Sequence, residues 1–208
     1  KILINKFFTP VSKVAEKCII TLTPNHISTL VSTSDSNPIL YACVNVPCDL
    51  GEEKQLILNI PNVNKLTKIL NCITSDVIEL DLNSNNIEYN SLNMNFKYHL
   101  LEDGVIEKVG VNPEKIKALE FDTTFVISND KTEDIIRSAS FTTDSNKIYF
   151  YTKDNNVYCE LTDKEIANID SVSYFITDTY TGVEFKKPML IDLEIFKLLY
   201  GLKENITT

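Results

Sequence analysis

Apolar residues along this chain recur with two periods. In Lys1–Phe8 (KILINKFF), Leu3, Ile4 and Phe7 share one helical face, with Lys1, Asn5 and Lys6 around the other. Pro10 is expected to stop that helix. Four β-like runs follow: Glu16–Thr23, His26–Thr33, Pro38–Val46 and Gln55–Ile60, each ended by proline or a polar cluster. Asn62–Ile73 switches to helical spacing at Val63, Leu66, Ile69, Leu70 and Ile73. Lys65 and Lys68 fall on the far side with Asn64, Asn71 and Cys72, and the segment contains no acid. Strands return at Asp76–Leu82, Asn86–Tyr89 and Asn95–Leu101, with a turn at Ser84-Asn85-Asn86.

Glu102–Asn112 holds two of the five glycines and reads as a linker. The second half repeats the scheme. Lys115–Ile127 reads as a strand. Ser128-Asn129-Asp130 supplies caps for a helix over Lys131–Ser140, with Glu133 and Asp134 in its first turn. Ile135, Ile136 and Ala139 face one way there and Arg137 the other. Lys147–Thr152 and Val157–Leu161 form a hairpin around Asp154-Asn155-Asn156, and Ser171–Thr177 and Val183–Ile191 are further strands. Asp192–Leu202 is an apolar helix carrying Lys197, with Lys203 just beyond. The chain thus reads as α+β, with two similar units of about 100 residues: a first domain at 1–103, a linker at 104–112 and a second domain at 113–208. The first unit adds about three strands after its second helix, and the second unit ends without them. The expectation is a C-terminally incomplete second domain.

Composition narrows the classes. The 208 residues carry 20 Lys+Arg against 29 Asp+Glu, a formal charge of -9, with 43% apolar and 24% charged residues. That is a globular composition, and no run of ~18 apolar residues spans a membrane. The odd, scattered Cys18, Cys43, Cys48, Cys72 and Cys159 fit reduced thiols in the cytoplasm better than a disulfide framework. The sequon Asn205-Ile206-Thr207 is then a chance match. The cations are 19 Lys and the single Arg137, a poor set for reading bases.

Catalytic signatures are absent. No phosphate loop, dinucleotide fingerprint or zinc-protease motif appears. His26 and His99 sit singly in strands, and Cys43-x4-Cys48 lacks a second ligand pair. The carboxylates, such as Glu52-Glu53, Asp76/Glu79/Asp81 and Glu133-Asp134, fall at turns, strand faces and helix starts. The reading is no enzyme, no metal and no cofactor. What remains is a segregation of charge: each of the four helical segments carries cations in an otherwise acidic chain. Lys1, Lys6, Lys65, Lys68, Lys131, Arg137, Lys197 and Lys203 would attract phosphates without reading bases. An ordinary solvated helix face has the same appearance.

Three stretches carry a resemblance: LILNIPNVNKLTKILN (56–71), NNIEYNSLNMNFKYHL (85–100) and KTEDIIRSASFTTDSNKIYFYTKDNNVYCEL (131–161). In this order they resemble the strand, inner helix and hairpins of DNA sliding clamps, polymerase processivity factors, most nearly the short two-domain form of T-even phages. The resemblance implies two repeated clamp domains, sheets outside and helices on one face, closing as a homotrimeric ring around duplex DNA. It implies a non-catalytic DNA-replication accessory protein in the host cytoplasm, bound to a DNA polymerase and loaded by an ATP-dependent clamp loader. Carried over by face, Lys65, Lys68 and Arg137 are the best DNA-facing matches, ahead of Lys1, Lys6, Lys131, Lys197 and Lys203. Glu194, three residues before Lys197, is placed to neutralise it. The family's partner pocket beside the linker implies Val105, Ile106 and Val109, which could instead simply pin the linker. The family's subunit contact implies the edges holding Phe96, Tyr98 and Leu100 and holding Val172, Tyr174 and Ile176. The rival readings are a β-rich viral structural or assembly protein with no DNA role, and a hydrolase using scattered carboxylates.

Overall fold

The computed structural model describes residues 3–33, 38–75, 77–83, 85–200 and 206–207. The chain divides into two compact units, Lys1–Ala118 and Leu119–Thr208. No helix among the described residues is long and apolar enough to cross a membrane.

The first unit opens with a π-helical stretch, Ile4–Phe8, that runs directly into α1 (Thr9–Val14). The helix therefore does not stop at Pro10. The Thr9 N–H donates to the Ile4 carbonyl, five residues back, so the turn ahead of the proline is wide. Pro10 then stands in the first turn of α1, where a missing N–H costs little. The continuous stripe Ile4, Phe7, Phe8, Val11 and Val14 is buried. Each fully buried side chain of this size contributes roughly 1.5–3 kcal/mol over exposure.

Next come β1 (Cys18–Leu22), β2 (His26–Ser32), β3 (Ile39–Asn45) and β4 (Leu56–Ile60), an antiparallel sheet in the order β3-β2-β1-β4. Ile20 lies opposite Thr29 on one side and Leu58 on the other. Along β1, Cys18, Ile20 and Leu22 are buried, while Ile19 and Thr21 turn to the other face, the period of a half-buried strand. α2 (Val63–Asn71) packs beside the first helix. β5 (Asp81–Asn83), β6 (Asn86–Asn90) and β7 (Asn95–His99) form a second sheet in that order. The expected strand over Asp76–Leu82 contracts to β5: residues 77–80 join no ladder, and Asp76 lies outside the described residues.

Residues 100–112 form neither helix nor strand. α3 (Pro113–Lys117) follows, which overturns the strand expected over Lys115–Ile127. The Asn112 side chain accepts from the Glu114 N–H, and Pro113 takes the first turn, so the start signal of a short helix prevails over the apolar pattern. Only β8 (Thr123–Ile127) remains as strand.

The second unit continues with α4 (Asn129–Ser138), β9 (Lys147–Lys153), β10 (Asn156–Leu161), β11 (Val172–Thr177), β12 (Tyr180–Gly182), β13 (Met189–Asp192), α5 (Leu193–Tyr200) and β14 (Ile206–Thr207). α4 begins two residues earlier than expected. Asp130 is therefore the first-turn acid, in place of Glu133 and Asp134. Asp154 and Asn155 both take positive φ, as a tight two-residue hairpin turn requires. The strand expected over Val183–Ile191 contracts to β13: β12 ends at Gly182, with φ +105°, and pairing resumes only after Pro188.

The sheet order β11-β10-β9-β13 repeats β3-β2-β1-β4, with α4 and α5 packed together as the first helix and α2 are. The expected repeat of helix, strands and helix is thus present. The core of this unit gathers Phe125, Ile127, Ile135, Ile148, Phe150 and Phe196 between sheets and helices.

Candidate nucleic-acid interface

The exposed face of α2 follows from its period. Val63, Leu66 and Leu70 are buried, which leaves Asn64, Lys65, Lys68 and Asn71 outside. The helix is started by Asn62, whose side chain accepts from the Lys65 N–H at 2.7 Å. Asn62 is itself held twice. Its side chain donates to Glu16 at 2.8 Å, and its backbone N–H and carbonyl both bond the Tyr98 hydroxyl, at 3.0 and 2.7 Å. Among the described residues, neither Lys65 nor Lys68 forms an ion pair.

The first helix adds to this face. Asn64 donates to the Ser12 carbonyl at 3.4 Å, tying the two helices together. Lys6 is exposed, and so is Lys13, which lies beyond Pro10 in the last turn of α1. Lys13 was absent from the sequence-derived set because the helix was expected to end earlier. Its signal was the apolar stripe, which continues at Val11 and Val14. Neither 3–14 nor 62–73 contains a single Asp or Glu, and Lys13, Lys65 and Lys68 are exposed on these helices.

The second unit differs. Arg137 is 72% exposed, but Glu133, one turn earlier, pairs with it at 2.8 Å. Lys197 pairs with Glu194 at 2.7 Å, as their spacing implied. Lys131 is half-buried. Exposed pairs of this kind contribute little to stability, but they do cancel charge locally. Lys1 and Lys203 lie outside the described residues.

A cleft of about 480 Å³ runs along the outward face of the first sheet, beneath the irregular segment that follows β7. Ile106, Val109, Val111 and Pro113 form one wall, and Ile19, Leu30, Tyr41 and Ile57 the other. Val105 stands apart from this lining and is 55% exposed. The Lys117 ammonium lies 5.3 Å from the Tyr41 ring centroid. Glu114 and Tyr41 together raise its pKa.

Of the edge residues, Phe96 and Leu100 are half-buried and Tyr98 is buried; Val172 and Tyr174 are half-buried and Ile176 is buried. β7 and β11 are each hydrogen-bonded on one side only among the described residues. Among those residues no group of three or more His, Cys, Asp or Glu is placed to hold a metal ion.

The perturbed groups elsewhere are displaced away from neutrality. Burial pushes the Cys18 and Cys159 thiols up to about 12, against weaker opposing hydrogen bonds. Glu165 and Asp163 raise Lys147, which they hold at 2.6 and 3.0 Å. The Glu165 N–H, then Lys147, lower Asp163.

Two units of one antiparallel design, each with a helix pair, define the class: this is the sliding-clamp fold. Over 99% of its length the chain superposes on PCNA of A. fulgidus, solved with the C-terminal region of FEN-1, with a TM-score of 0.78 at 14% identity over 83% of that chain. Over the same share of its length it also superposes on a putative DNA polymerase III beta subunit from Eubacterium rectale (TM-score 0.74, 12% identity) and on PCNA of Entamoeba histolytica (0.70, 15%). It spans 84% of the Entamoeba chain but only 56% of the bacterial beta subunit. By sequence it matches no family model and no curated protein.

Proposed function

We propose that this chain is a DNA polymerase sliding clamp of the short T-even phage type. Three copies would close around duplex DNA with their helical faces toward it, and the ring would tether a replicative polymerase in the cytoplasm. An ATP-dependent loader would open it, and it would perform no catalysis. The observation that supports this reading is the pair of helices, with no acid in their own sequence, that exposes Lys13, Lys65 and Lys68 in a clamp fold of net charge -9. Compact ammonium groups on long stems attract phosphates without fixing a register, so a ring can move along the duplex. Retention then comes from topology, and the polymerase gains effective concentration at the primer end.

With Arg137 and Lys197 paired to Glu133 and Glu194, most of the phosphate attraction would fall to the first unit. The cleft lined by Ile106 and Val109 is the candidate seat for a polymerase peptide. β7 and β11 are candidates for pairing between protomers, because an edge ladder accepts another strand. In that role the backbones of Tyr98 and Ile176 would contribute, since their side chains are buried.

The test is the pair Lys65→Glu/Lys68→Glu. It should preserve a trimer by light scattering and lower primer-extension length with a cognate polymerase and loader. The salt dependence of DNA association should lose about two counterions per protomer. Arg137→Ala should change that slope by less. A monomeric wild-type protein, or extension indifferent to the double substitution, would remove the reading.

A further inference from the structure

β7 reaches the interior of the first unit through one side chain. Tyr98 is the single buried residue of this strand, at 6% exposure. In the β6-β7 ladder it stands opposite Ile87, and the other side of β7 is open among the described residues. The phenol extends to the point where β4 gives way to α2. Its hydroxyl donates to the Asn62 carbonyl at 2.7 Å and accepts from the Asn62 N–H at 3.0 Å. That carbonyl also receives the Leu66 N–H at 3.1 Å, the first hydrogen bond of α2. One hydroxyl thus holds both backbone groups of the residue from which the helix starts. Just past β7, the Leu101 N–H donates to the Asn59 carbonyl at 2.9 Å, so the edge strand is fastened to the end of β4 as well.

We propose that Tyr98 is a positioning residue for phosphate attraction: its hydroxyl fixes the start of α2 to the edge strand β7 and so sets where Lys65 and Lys68 point. The effect on phosphates rests on the DNA role proposed above, whereas the tie itself does not. An ammonium on a flexible four-carbon stem is loosely placed, and the direction of its helix is the part the fold can fix. Without the hydroxyl the Asn62 N–H loses its acceptor, and the first turn is free to sample other directions. The second unit offers the contrast. Its edge strand β11 also sends a tyrosine to a helix, but the Tyr174 hydroxyl makes one bond of 3.4 Å, to the Asp134 carbonyl within α4. Arg137, on that helix, is already paired with Glu133. The double hydrogen bond at a helix start belongs to the unit whose Lys65 and Lys68 form no ion pair among the described residues.

The test is Tyr98→Phe in the full chain, which keeps the ring and removes only the hydroxyl. Binding of a short blunt DNA duplex should weaken about fivefold, as the fraction of chains with an aligned first turn falls. The salt slope of that binding should stay as in the unsubstituted chain, because both lysines remain, whereas a loss of charge would lower it. Amide exchange should quicken at Lys65 and Leu66 and stay unchanged in the β1-β2 ladder. Tyr89→Phe, which removes a hydroxyl from the neighbouring strand β6, should alter neither readout. On the unsubstituted chain the Asn62 amide should exchange as slowly as the amides of the β6-β7 ladder, a measurement that survives if Tyr98→Phe does not fold. Fast exchange at Asn62, unchanged exchange at Lys65 and Leu66, or equal loss with Tyr89→Phe would each overturn the inference. So would unaltered duplex binding by Tyr98→Phe where Lys65→Glu/Lys68→Glu weakens it, since the hydroxyl would then be merely structural. Duplex binding indifferent to the lysine pair would instead remove the DNA role, and exchange at Lys65 and Leu66 would decide the tie by itself.

Discussion

Gly182 takes φ +105°, and a Cβ built there would collide with the backbone carbonyl of Asp122. The crowding arises because Gly182 pairs with Thr123 and the next N–H, of Val183, returns to the Asp122 carbonyl. A backbone atom cannot move aside as a flexible side chain can. Gly182→Ala should therefore destabilise the chain by about 2–4 kcal/mol. A urea titration would show this as a lower midpoint at constant slope, and an unchanged midpoint would refute it. At this scale the candidate site was partly legible. Lys65 and Lys68 declare themselves because Val63, Leu66 and Leu70 occupy the opposite side of one short helix. Lys13 was hidden by Pro10, since the wide turn that tolerates the proline is a property of the backbone rather than of residue type. The cancellation of Arg137 by Glu133 is a matter of i,i+4 spacing and was available from the same reasoning that paired Glu194 with Lys197.

At the scale of elements, α2 depends on its first residue. Asn62 receives the Lys65 N–H and is clamped by Tyr98 and Glu16, so the orientation of the lysine face is set from its N-terminal end. Asn62→Ala should cost about 1 kcal/mol and fray the first turn of α2. Faster amide exchange at Lys65 and Leu66 would report it, while exchange in β1 should be unaffected. β1 and β10, which alternate cleanly, were legible, and so were the apolar runs of β2, β4 and β9, each ended by turn residues. Those that were not had competing local signals. Asn112 and Pro113 start a helix inside an apolar run, and Gly182 and Pro188 divide another. Residues 77–80 alternate well enough for a strand but find no neighbour, and pairing cannot be read from one segment alone.

For the whole molecule, each unit buries a thiol, and the first also buries the Tyr98 phenol, hydrogen-bonded to Asn62. Burial pushes Cys18, Cys159 and Tyr98 up to about 12, from ordinary values of 9.0 for the thiols and 10.0 for the phenol. These groups keep their protons in the folded chain while the unfolded chain loses them. Their stabilising contribution is complete below about pH 9 and declines as pH rises towards 12, because there the unfolded state binds fewer protons. Urea midpoints should accordingly fall steeply across that interval. Below it, a thiol reagent should label the exposed Cys43 and Cys72 quickly and reach Cys18 and Cys159 only on unfolding. A flat alkaline profile would contradict the assignment. The repeat and the α+β design were legible because both halves restate one order of periods. How copies of the chain meet was not, because edges are defined by what is missing beside them.

One such edge has a consequence for handling the protein. β11, Val172–Thr177, is six residues of high β-propensity without a single charge, and it is hydrogen-bonded on one side only among the described residues. Segments of that composition stack with their own kind into fibrils when left open. A strand that completed this ladder would also keep the chain from aggregating, and a preparation without one should precipitate from β11 first.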